Sequence, residues 1–448
     1  MNFQRTGLLA VAACLAVACL PAAAQTDLDA KVDSHLSNWM ETYEYLHQHP
    51  ELSTEEKDTA AYVAAALAKM GYEVTDHFGK YDDGSAAYGV VAVLRNGPGP
   101  TLYLRTELDG LPVTEETGLA YASKVREKRA GGGEVGVMHA CGHDLHMTVL
   151  LGTAKMMLES EDQWSGTLVL IGQPAEETVA GAAAMLRAGL YTKFPKPDYV
   201  VALHDSSFYP AGTVAWHAGP MLAGADSVDI TIRGYGGHGA APQITKDPIV
   251  IGAEIVMALQ TIVSRESDPL VPTVVTVGSF HAGTKHNIIP DEAHLQLTVR
   301  TMTPAQREKV LAAIKRITDG IAESAGIPPE RAPIIEVAKD HVPATINDPV
   351  LTQRVAISLE KALGKDNVWP GRPLMASEDF SLFALEDPKP PICMFWLGAP
   401  DPAKWKAAEE TGARLPGPHS SEFAPLPEPA IRAGVKGMTT VAIDLLKK

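Results

Sequence analysis

The spacing of apolar residues along the chain predicts alternating strands and helices. Apolar positions recur at helical spacing over 33–48, 54–70, 148–159, 248–263, 303–325 and 349–363. Short β-rich runs lie at 90–95, 101–105, 166–171, 199–203 and 392–397. This alternation is typical of an α/β fold, in which helices cover a largely parallel sheet.

Acidic residues and histidines directly follow three of the predicted strands. Glu107 and Asp109 follow 101–105, Glu176 and Glu177 follow 166–171, and His204 ends 199–203. Open α/β sheets bind ligands at the carboxyl ends of their strands, so we expect these side chains to converge in one cleft. By itself, the Glu107–Asp109 pair would suit a solvated turn equally well.

The middle of the chain follows a different pattern. An alternating strand at 225–234 leads into the glycine-rich loop 236–242, and helix 248–263, strands 271–280 and 294–301 and helix 303–325 follow. This β-α-β-β-α order predicts an inserted α+β domain over 219–335. Segments 25–218 and 336–448 then form the main domain. After the inserted domain, a strand at 334–337 is expected to lead the chain back to the main domain.

The first residues are expected to be a targeting signal. Arg5 precedes an apolar run over 7–20, and Ala22–Ala24 offers an A-x-A cleavage site before Gln25. The sequence therefore predicts a signal peptide over 1–24 and a secreted, periplasmic protein. Cys19 is a weaker candidate for lipidation, because the residues before it match a lipoprotein site poorly.

Composition narrows the possible partners. The formal net charge of −16 over 448 residues argues against nucleic acid and anionic membrane surfaces as partners. Only Cys141 and Cys393 lie beyond the predicted signal peptide, and two cysteines in so long a chain do not indicate a disulfide framework.

The segment 138–147, MHACGHDLHM, has the densest chemistry in the chain. It precedes an apolar helical run, so the partial positive charge of a helix N-terminus is expected to lower the pKa of the Cys141 thiol. A thiolate and the His143 imidazole, two residues apart, could bind one metal ion. The alternative is a buried cysteine beside scattered histidines.

A series of motifs carries a family resemblance. In order they are LRTELDGLP, MHACGHD, QPAEE, Leu203-His204, GGHGAAP, HNIIPD, SEDF and HSSEF. The chain resembles the M20 metallopeptidase family in its amidohydrolase branch, which includes N-acyl-amino-acid, hippurate and auxin-conjugate hydrolases. The resemblance covers nearly all of the mature chain. It implies a zinc-peptidase-like catalytic domain with an inserted lid domain that usually forms dimers.

The resemblance also implies a role for individual residues. Glu176 matches the general base, and His238 matches the lid histidine that stabilises the oxyanion, in many relatives from the partner subunit. Asn287 matches a lid residue near the substrate, and Asp109 matches the carboxylate that orients a ligand. The positions that match metal ligands are Cys141, His143, Glu177, His204 and His419.

Amide hydrolysis is consistent with this set of residues. Five ligands exceed the needs of one closed four-coordinate site, so we expect two divalent ions, and mixed S/N/O ligation suits zinc, manganese, cobalt or nickel. If the segment is extended, Glu176 and Glu177 point apart, which frees Glu176 to move a proton. The expected substrate is an N-acyl amino acid or a small peptide conjugate, and the expected assembly is a homodimer through the lid.

Other interpretations remain open from the sequence. The same site would serve a dipeptidase or carboxypeptidase, Cys141 and His143 would suit a nucleophilic hydrolase, and a metal-binding or interaction protein needs no catalysis. Among individual residues, the histidines His139 and His146 are expected to support the site without being ligands. Glu378 and Asp379 are expected to cap a helix that begins at Phe380.

The chain departs from the family pattern in four places. Relatives often have Asp where Glu107 stands and an apolar residue where Asp205 stands. Segments 123–136 and 398–418 are longer than usual, and the first is expected to be a mobile loop. Both should lie near the mouth of the cleft, where they would affect the substrate more than the reaction.

Overall fold

The computed structural model describes residues 22–128, 132–339 and 341–447. Most of the predicted signal peptide, residues 1–21, lies outside the described residues, so the prediction of a signal over 1–24 stays a prediction. The first described helix begins at Ala22, inside the expected cleavage motif.

Helices and strands alternate through most of the described chain. The helices are α1 (Ala22–Gln48), α2 (Lys57–Lys69), α3 (His143–Leu158), α4 (Gly181–Arg187), α5 (Leu190–Lys193), α6 (Pro248–Thr261), α7 (Pro304–Ser324), α8 (Pro349–Leu363), α9 (Pro402–Thr411) and α10 (Pro427–Leu445). The strands are β1 (Glu73–Thr75), β2 (Val90–Asn96), β3 (Thr101–Glu107), β4 (Arg126–Lys128), β5 (Glu134–Gly136), β6 (Gly166–Gln173), β7 (Tyr199–Ser206), β8 (Val214–Trp216), β9 (Gly219–Leu222), β10 (Gly224–Arg233), β11 (Gly237–His238), β12 (Thr273–Ala282), β13 (Ile288–Ile289), β14 (Glu292–Thr301), β15 (Ile334–Val337), β16 (Thr345–Asn347), β17 (Val368–Pro370) and β18 (Ile392–Gly398).

The larger sheet has eight strands in the order β1-β2-β6-β3-β7-β18-β8-β17. Its four central strands, β6, β3, β7 and β18, are parallel, whereas β1 and β2 are joined to them by antiparallel pairs. Strands β3, β6 and β18 are buried along almost their whole length, as expected for parallel strands with both faces covered. The predicted α/β fold is therefore confirmed.

Two apolar cores cover the faces of this sheet. On one face, α1, α2, α3, α8 and α10 share a core with the side chains of the central strands. On the other face, α4, α5 and a 3-10 helix at Asp379–Ala384 pack around residues that include Tyr103 and Met394. On the first face, Gly152 of α3 allows close packing against α10, because an added Cβ would lie 2.5 Å from Val435.

A second sheet has four strands in the order β12-β14-β10-β15 and its own apolar core. Strand β10 alternates buried and exposed residues, and α6 and α7 cover its buried face. The prediction that 334–337 returns to the first sheet was wrong. It forms β15, which pairs antiparallel with the free edge of β10. The predicted domain boundaries at 219 and 335 stay predictions.

Four helices begin with the same capping arrangement. Asp247, Thr303, Asp348 and Asp401 each accept a hydrogen bond from a backbone N–H in the first turn, and a proline follows each of them. Proline suits the first helical position, where no intrahelical partner for an N–H exists. The predicted start of α7 at Thr303-Pro304 is therefore confirmed.

Other predicted boundaries were less accurate. Helix α3 begins at His143, five residues before the predicted start at 148, because Gly142 adopts φ 75° and turns the chain directly into the helix. The predicted mobile loop 123–136 contains the paired strands β4 and β5, and residues 129–131 lie outside the described residues. Segment 398–418 contains helix α9, which the sequence pattern did not predict.

Candidate metal centre

A cavity of about 480 Å³ opens beside the carboxyl ends of the central parallel strands. Four of the five predicted ligands line it, namely Cys141, Glu177, His204 and His419, and so does the predicted base Glu176. The fifth, His143, is buried directly behind them at the start of α3. The structure therefore brings together residues that are up to 278 positions apart, the separation of Cys141 and His419.

The ligand atoms of this cluster lie close to one another. The Cys141 Sγ is 3.5 Å from His204 Nε2, and the Glu177 carboxylate is 3.9 Å from His143 Nε2 and 3.4 Å from His419 Nε2. Cys141, His143 and His204 form one group of ligand atoms within 4.8 Å, and Cys141, Glu177 and His419 form another. Overlapping groups of this kind suit two neighbouring cations.

Backbone carbonyls orient two of the imidazoles. His143 donates its Nδ1–H to the Asp109 carbonyl at 2.7 Å, and His204 donates its Nδ1–H to the Asp205 carbonyl at 2.8 Å. Each bond leaves the Nε2 lone pair directed away from the carbonyl and available for a metal ion.

Three backbone positions at the cluster adopt conformations with positive φ. Gly142, between Cys141 and His143, has φ 75°, and an added Cβ would lie 2.5 Å from Asp205 Oδ1. Ala175 has φ 48° and His419 has φ 70°, values that non-glycine residues rarely adopt. Such strain persists only where surrounding contacts impose it, and it is concentrated at functional sites.

The PAEE segment is a turn, so the expectation of an extended segment was wrong. Its hydrogen bonds run from the Val179 N–H to the Glu176 carbonyl and from the Ala180 N–H to the Ala175 carbonyl. The buried Glu56 carboxylate accepts the Ala175 N–H at 2.7 Å, which imposes the turn. Both acids therefore face the cluster, and Glu176 Oε2 lies 4.0 Å from His143 Nε2.

Asp109 supports two of the predicted ligands. It is fully buried, and its carboxylate accepts hydrogen bonds from the Glu177 backbone N–H at 2.9 Å and from Ser53 Oγ at 2.7 Å. Its other oxygen lies 3.4 Å from His143 Nδ1. This placement agrees with the predicted role of a carboxylate that orients a ligand.

Behind the cluster lies a buried ionic network that the sequence did not reveal. The Arg105 guanidinium is fully buried and contacts Glu107, Glu378 at 2.6 Å and Asp379 at 3.0 Å. Asp379 also accepts hydrogen bonds from Gln173 and from the Ala182 N–H. Glu378 accepts the Phe380 N–H, so its predicted capping role is confirmed, and the same residue also lines the cavity. The capping role predicted for Asp379 was wrong, because the 3-10 helix begins at Asp379 itself and its carboxylate bonds residues of other segments.

His146 connects the buried carboxylates of Glu107 and Asp205. Its ring contacts Glu107 Oε2 at 2.9 Å and Asp205 Oδ1 at 3.1 Å. The Asp205 backbone N–H also lies 2.8 Å from His146 Nε2, so both the main chain and the carboxylate of Asp205 contact this buried ring. His139 is also buried, and burial lowers its pKa to about 4.

The electrostatic surroundings of the cluster favour a cation. Burial raises the pKa of Glu177 to about 7 and raises that of Glu176 well above its ordinary value, with Glu378 adding to the effect on Glu176. Burial opposes protonation of His143, yet Asp109 and Glu107 raise its pKa to about 10. Carboxylates that crowd together in a buried site are stabilised by a divalent ion.

The thiol of Cys141 does not behave as the sequence suggested. Burial and the nearby Glu177 and Asp205 carboxylates raise its pKa well above its ordinary value, so the predicted lowering by the helix N-terminus was wrong. Burial also lowers the pKa of His204, which keeps that imidazole neutral. A neutral thiol is a poor nucleophile, so these surroundings do not by themselves activate Cys141.

The residues of the cluster fit a metal centre. Among the described residues, His143 Nε2 and Glu177 Oε1 are buried and have no hydrogen-bond partner. Unpaired buried polar atoms are costly, and here both belong to groups that bind divalent metals. Metal binding would satisfy both atoms and favour the thiolate form of Cys141.

His238 and Asn287 lie outside this cavity. Both are exposed on the unit built around the second sheet, where the Gly239 N–H donates to the Asn287 carbonyl at 2.9 Å. Neither lines the cavity of its own chain. Their predicted roles therefore require another subunit or a movement of the second sheet toward the centre.

The structure adds one cation that the sequence pattern does not indicate. Arg300 of β14 projects from the second sheet to the wall of the metal-centre cavity, where it hydrogen-bonds Ser377 Oγ. Among the described residues that line this cavity, it is the one arginine. Strand alternation alone does not distinguish it from a surface arginine, because its role depends on the packing of two distant segments.

A family profile and two related proteins indicate the family of this chain. The sequence profile for Peptidase family M20/M25/M40 matches residues 103–412, which is more than half of the chain. Thermostable carboxypeptidase 1 of Saccharolobus solfataricus is 36% identical over 90% of this chain and 94% of its own. Hippurate hydrolase of Campylobacter jejuni is 39% identical over 75% of this chain and 82% of its own.

Solved structures share the fold. A Staphylococcus aureus protein described as a candidate aminohydrolase superposes with a TM-score of 0.81 at 33% identity, over 94% of this chain and 100% of its own. A Bacillus subtilis protein described as a dinuclear metal-binding peptidase of the M20 family superposes with a TM-score of 0.73 at 27% identity, over 92% of this chain and 99% of its own.

A buried ion pair behind the centre makes stability depend on pH. His47 lies between Asp144 Oδ2 at 2.7 Å and Glu115 Oε1 at 3.1 Å. Burial opposes its protonation, but hydrogen bonds to both carboxylates raise its pKa to about 10. The imidazolium therefore stabilises the folded protein fully below the unfolded pKa of about 6.5, and this contribution is lost as pH rises through 10.

We predict that His47→Gln lowers the thermal midpoint most at pH 6, where an unpaired buried charge costs about 3 kcal/mol. The difference from the wild type should shrink steadily between pH 7 and pH 10, measured by calorimetry on metal-loaded protein. His49→Gln, at an exposed position on the same helix end, is the control. A difference that stays constant over this pH range would contradict the assignment.

Proposed function

The chain belongs to peptidase family M20/M25/M40, whose members hydrolyse amide bonds with bound metal, and we propose that it releases amino acids from N-acyl amino acids. The observation that carries the proposal is a cavity in which the unpaired ligand atoms of His143 and Glu177 lie beside the buried Glu176, with Arg300 on the cavity wall.

Divalent ions held by Cys141, His143, Glu177, His204 and His419 would lower the pKa of a water molecule and polarise the amide carbonyl. Glu176 then accepts the proton of the attacking water and donates it to the leaving nitrogen. Burial and the neighbouring Glu378 raise the pKa of Glu176, so the carboxyl holds the proton between these two transfers.

The walls of the cavity support an N-acyl amino acid as substrate. Arg300 offers a guanidinium to the carboxylate of the amino-acid half, in the bidentate geometry that arginine favours. Leu222, Leu374, Phe208 and Trp396 add apolar surface for the remaining groups. The hippurate hydrolase among its relatives is named for such a substrate.

A second candidate is a carboxypeptidase that uses the same centre. The 36% identity to a protein named thermostable carboxypeptidase 1 favours it. In that case the acyl half would be a peptide, and Arg300 would bind the C-terminal carboxylate. A panel of N-acyl amino acids and dipeptides, compared by kcat/KM, separates the two candidates.

The identity of the metal is also a proposal. The mixed sulfur, nitrogen and oxygen ligands suit zinc, manganese, cobalt or nickel, and we propose that the centre holds two ions of this group. Reconstitution of metal-free protein with each ion in turn, with the bound metal counted by mass spectrometry, tests the number and the preference.

An apolar surface supports a homodimer through the second sheet. Helix α6 exposes Val250 (54%) and Met257 (72%), and within the described chain β12 pairs on one side only, with β14. The stretch Pro248–Glu266 has a mean hydropathy of 1.4 with 33% of its residues buried, and by length and composition it could cross a membrane. We assign the face to a second copy of the chain, because β12 offers it a free strand edge.

Secretion completes the proposal. The apolar run over 7–20 and the A-x-A motif at 22–24 support export to the periplasm and cleavage before Gln25. The intact mass of the protein recovered from the periplasm of expressing cells tests the cleavage position.

The first prediction from the proposed function concerns the general base. Glu176→Gln should lower kcat by about 10³-fold, because the proton transfer is lost, while the metal content measured by mass spectrometry stays unchanged. Chelation should abolish wild-type activity, and resupplied metal should restore it. The exposed Glu41→Gln is the control. Activity that survives chelation but is lost on thiol alkylation would instead favour the cysteine nucleophile.

The second prediction concerns Arg300. Arg300→Gln should raise KM for an N-acyl amino acid by about tenfold or more, because a charge-assisted hydrogen bond is lost. The corresponding N-acyl amino acid amide, which has no carboxylate, should be hydrolysed at the same rate by variant and wild type. Arg316→Gln, an exposed change on the same unit, is the control. Equal losses on both substrates would contradict carboxylate recognition.

The third prediction concerns the homodimer. Met257→Glu should produce monomers in light scattering, because it places a charge in the apolar face, and it should lower kcat if His238 acts on the partner subunit. His238→Ala should lower kcat by about 10²-fold, as expected for a lost oxyanion donor. Val350→Glu, 73% exposed on α8, is the control. A monomer with full activity would contradict the role of His238 in trans.

A further inference from the structure

A second cavity adjoins the metal-centre cavity and is built largely by segment 398–418. It has a volume of about 560 Å³ and shares Ser207, Phe208 and Pro418 with the first cavity. Pro418 directly precedes the predicted ligand His419. A molecule bound at the metal centre can therefore extend past Phe208 into the second cavity.

The wall of this cavity is an ordered structure. Asp401 caps helix α9 by accepting hydrogen bonds from the Ala403 and Lys404 N–H groups, and Gly412 ends the helix with φ 72°. Trp405 donates its Nε1–H to the Phe208 carbonyl at 3.0 Å and lies edge-on to Trp369 at 5.4 Å between ring centroids. The helix is thereby attached to the rim that the two cavities share.

Two arginines give the second cavity a positive character. The Arg372 guanidinium lies 3.9 Å from the centre of the Phe208 ring, and Arg414 lines the same cavity in the part of the wall formed by 412–417. Glu409 is the one acidic residue among the described residues that line it. Among the described residues neither of these two arginines has an ion-pair partner, so both guanidiniums keep donors for an anion.

We infer that the second cavity is a subsite for the acyl half of the substrate and selects acyl groups with a flat body that ends in a carboxylate. The inference rests on the proposed function, in which Arg300 binds the amino-acid half and leaves the acyl half to pass Phe208. Trp405 and Phe208 offer aromatic surface to the flat body. Arg372 and Arg414 offer fork-shaped donors to the distal carboxylate.

The test compares two substrates that differ only at the distal end of the acyl group. They are the N-(4-carboxybenzoyl) and N-benzoyl derivatives of one amino acid. Metal-loaded wild type should prefer the carboxybenzoyl compound by about tenfold in kcat/KM, as expected for charge-assisted contacts in a partly exposed site. Arg372→Gln and Arg414→Gln should each reduce this preference, and the double variant should abolish it while N-benzoyl hydrolysis stays within about twofold.

Lys404→Gln is the matched control, since it removes the same charge from the same segment outside the cavity lining. It should leave the preference unchanged. Equal kcat/KM values for the two substrates in the wild type would overturn the inference. Equal losses on both substrates in the arginine variants would also overturn it, because they would indicate a structural role.

A binding measurement separates this inference from the proposed function. Calorimetric titration of the inactive Glu176→Gln protein with the same two compounds gives their dissociation constants without turnover. Tighter binding of the carboxybenzoyl compound, lost in the added arginine substitutions, would support the subsite even if no compound is hydrolysed. Hydrolysis of both compounds without any difference in binding would support the function and overturn the subsite.

Discussion

The buried Arg105 guanidinium holds together the segments on which the metal centre depends. It projects from β3 and contacts Glu107 on its own strand, Gln173 at the end of β6, and Glu378 and Asp379, which are 273 and 274 positions away. Burial of a guanidinium is expensive unless its donors are satisfied, and here charged partners surround it. Removal of Arg105 would leave these carboxylates uncompensated beside Glu176. The ion pairs therefore fix the relative positions of the strand ends and of the Glu378 segment.

The centre itself carries more buried acid than the nearby protein cations neutralise. Glu176, Glu177 and Asp109 converge on His143, and burial raises the pKa values of the two glutamates. A divalent ion relieves this excess, so the same crowding that would destabilise the isolated protein favours metal binding. The stability of the folded protein and its affinity for metal therefore depend on the same arrangement of charges.

Two parts of the chain outside the main sheet line the approach to the centre. The second sheet contributes Arg300, which contacts Ser377 at the cavity wall, and segment 398–418 contributes helix α9 and the neighbouring cavity. The chain is a member of peptidase family M20/M25/M40 and a hydrolase of amide bonds. The family accounts for the class of reaction, whereas the proposed substrate preference rests on the second sheet and on segment 398–418.

The sequence by itself determined the features that local chemistry specifies. Cys141 and His143 stand two residues apart in one motif, and Glu176 and Glu177 are adjacent and follow a predicted strand, so motif and periodicity suffice to propose them for one site. Helix starts at cap-and-proline pairs are equally local. Only the tertiary structure decided the roles of Arg105, Arg300 and Asp205, because their partners lie far along the chain and strand alternation does not specify them. It also decided the turn at Ala175 and the raised pKa of Cys141, since both depend on burial beside carboxylates brought from other segments.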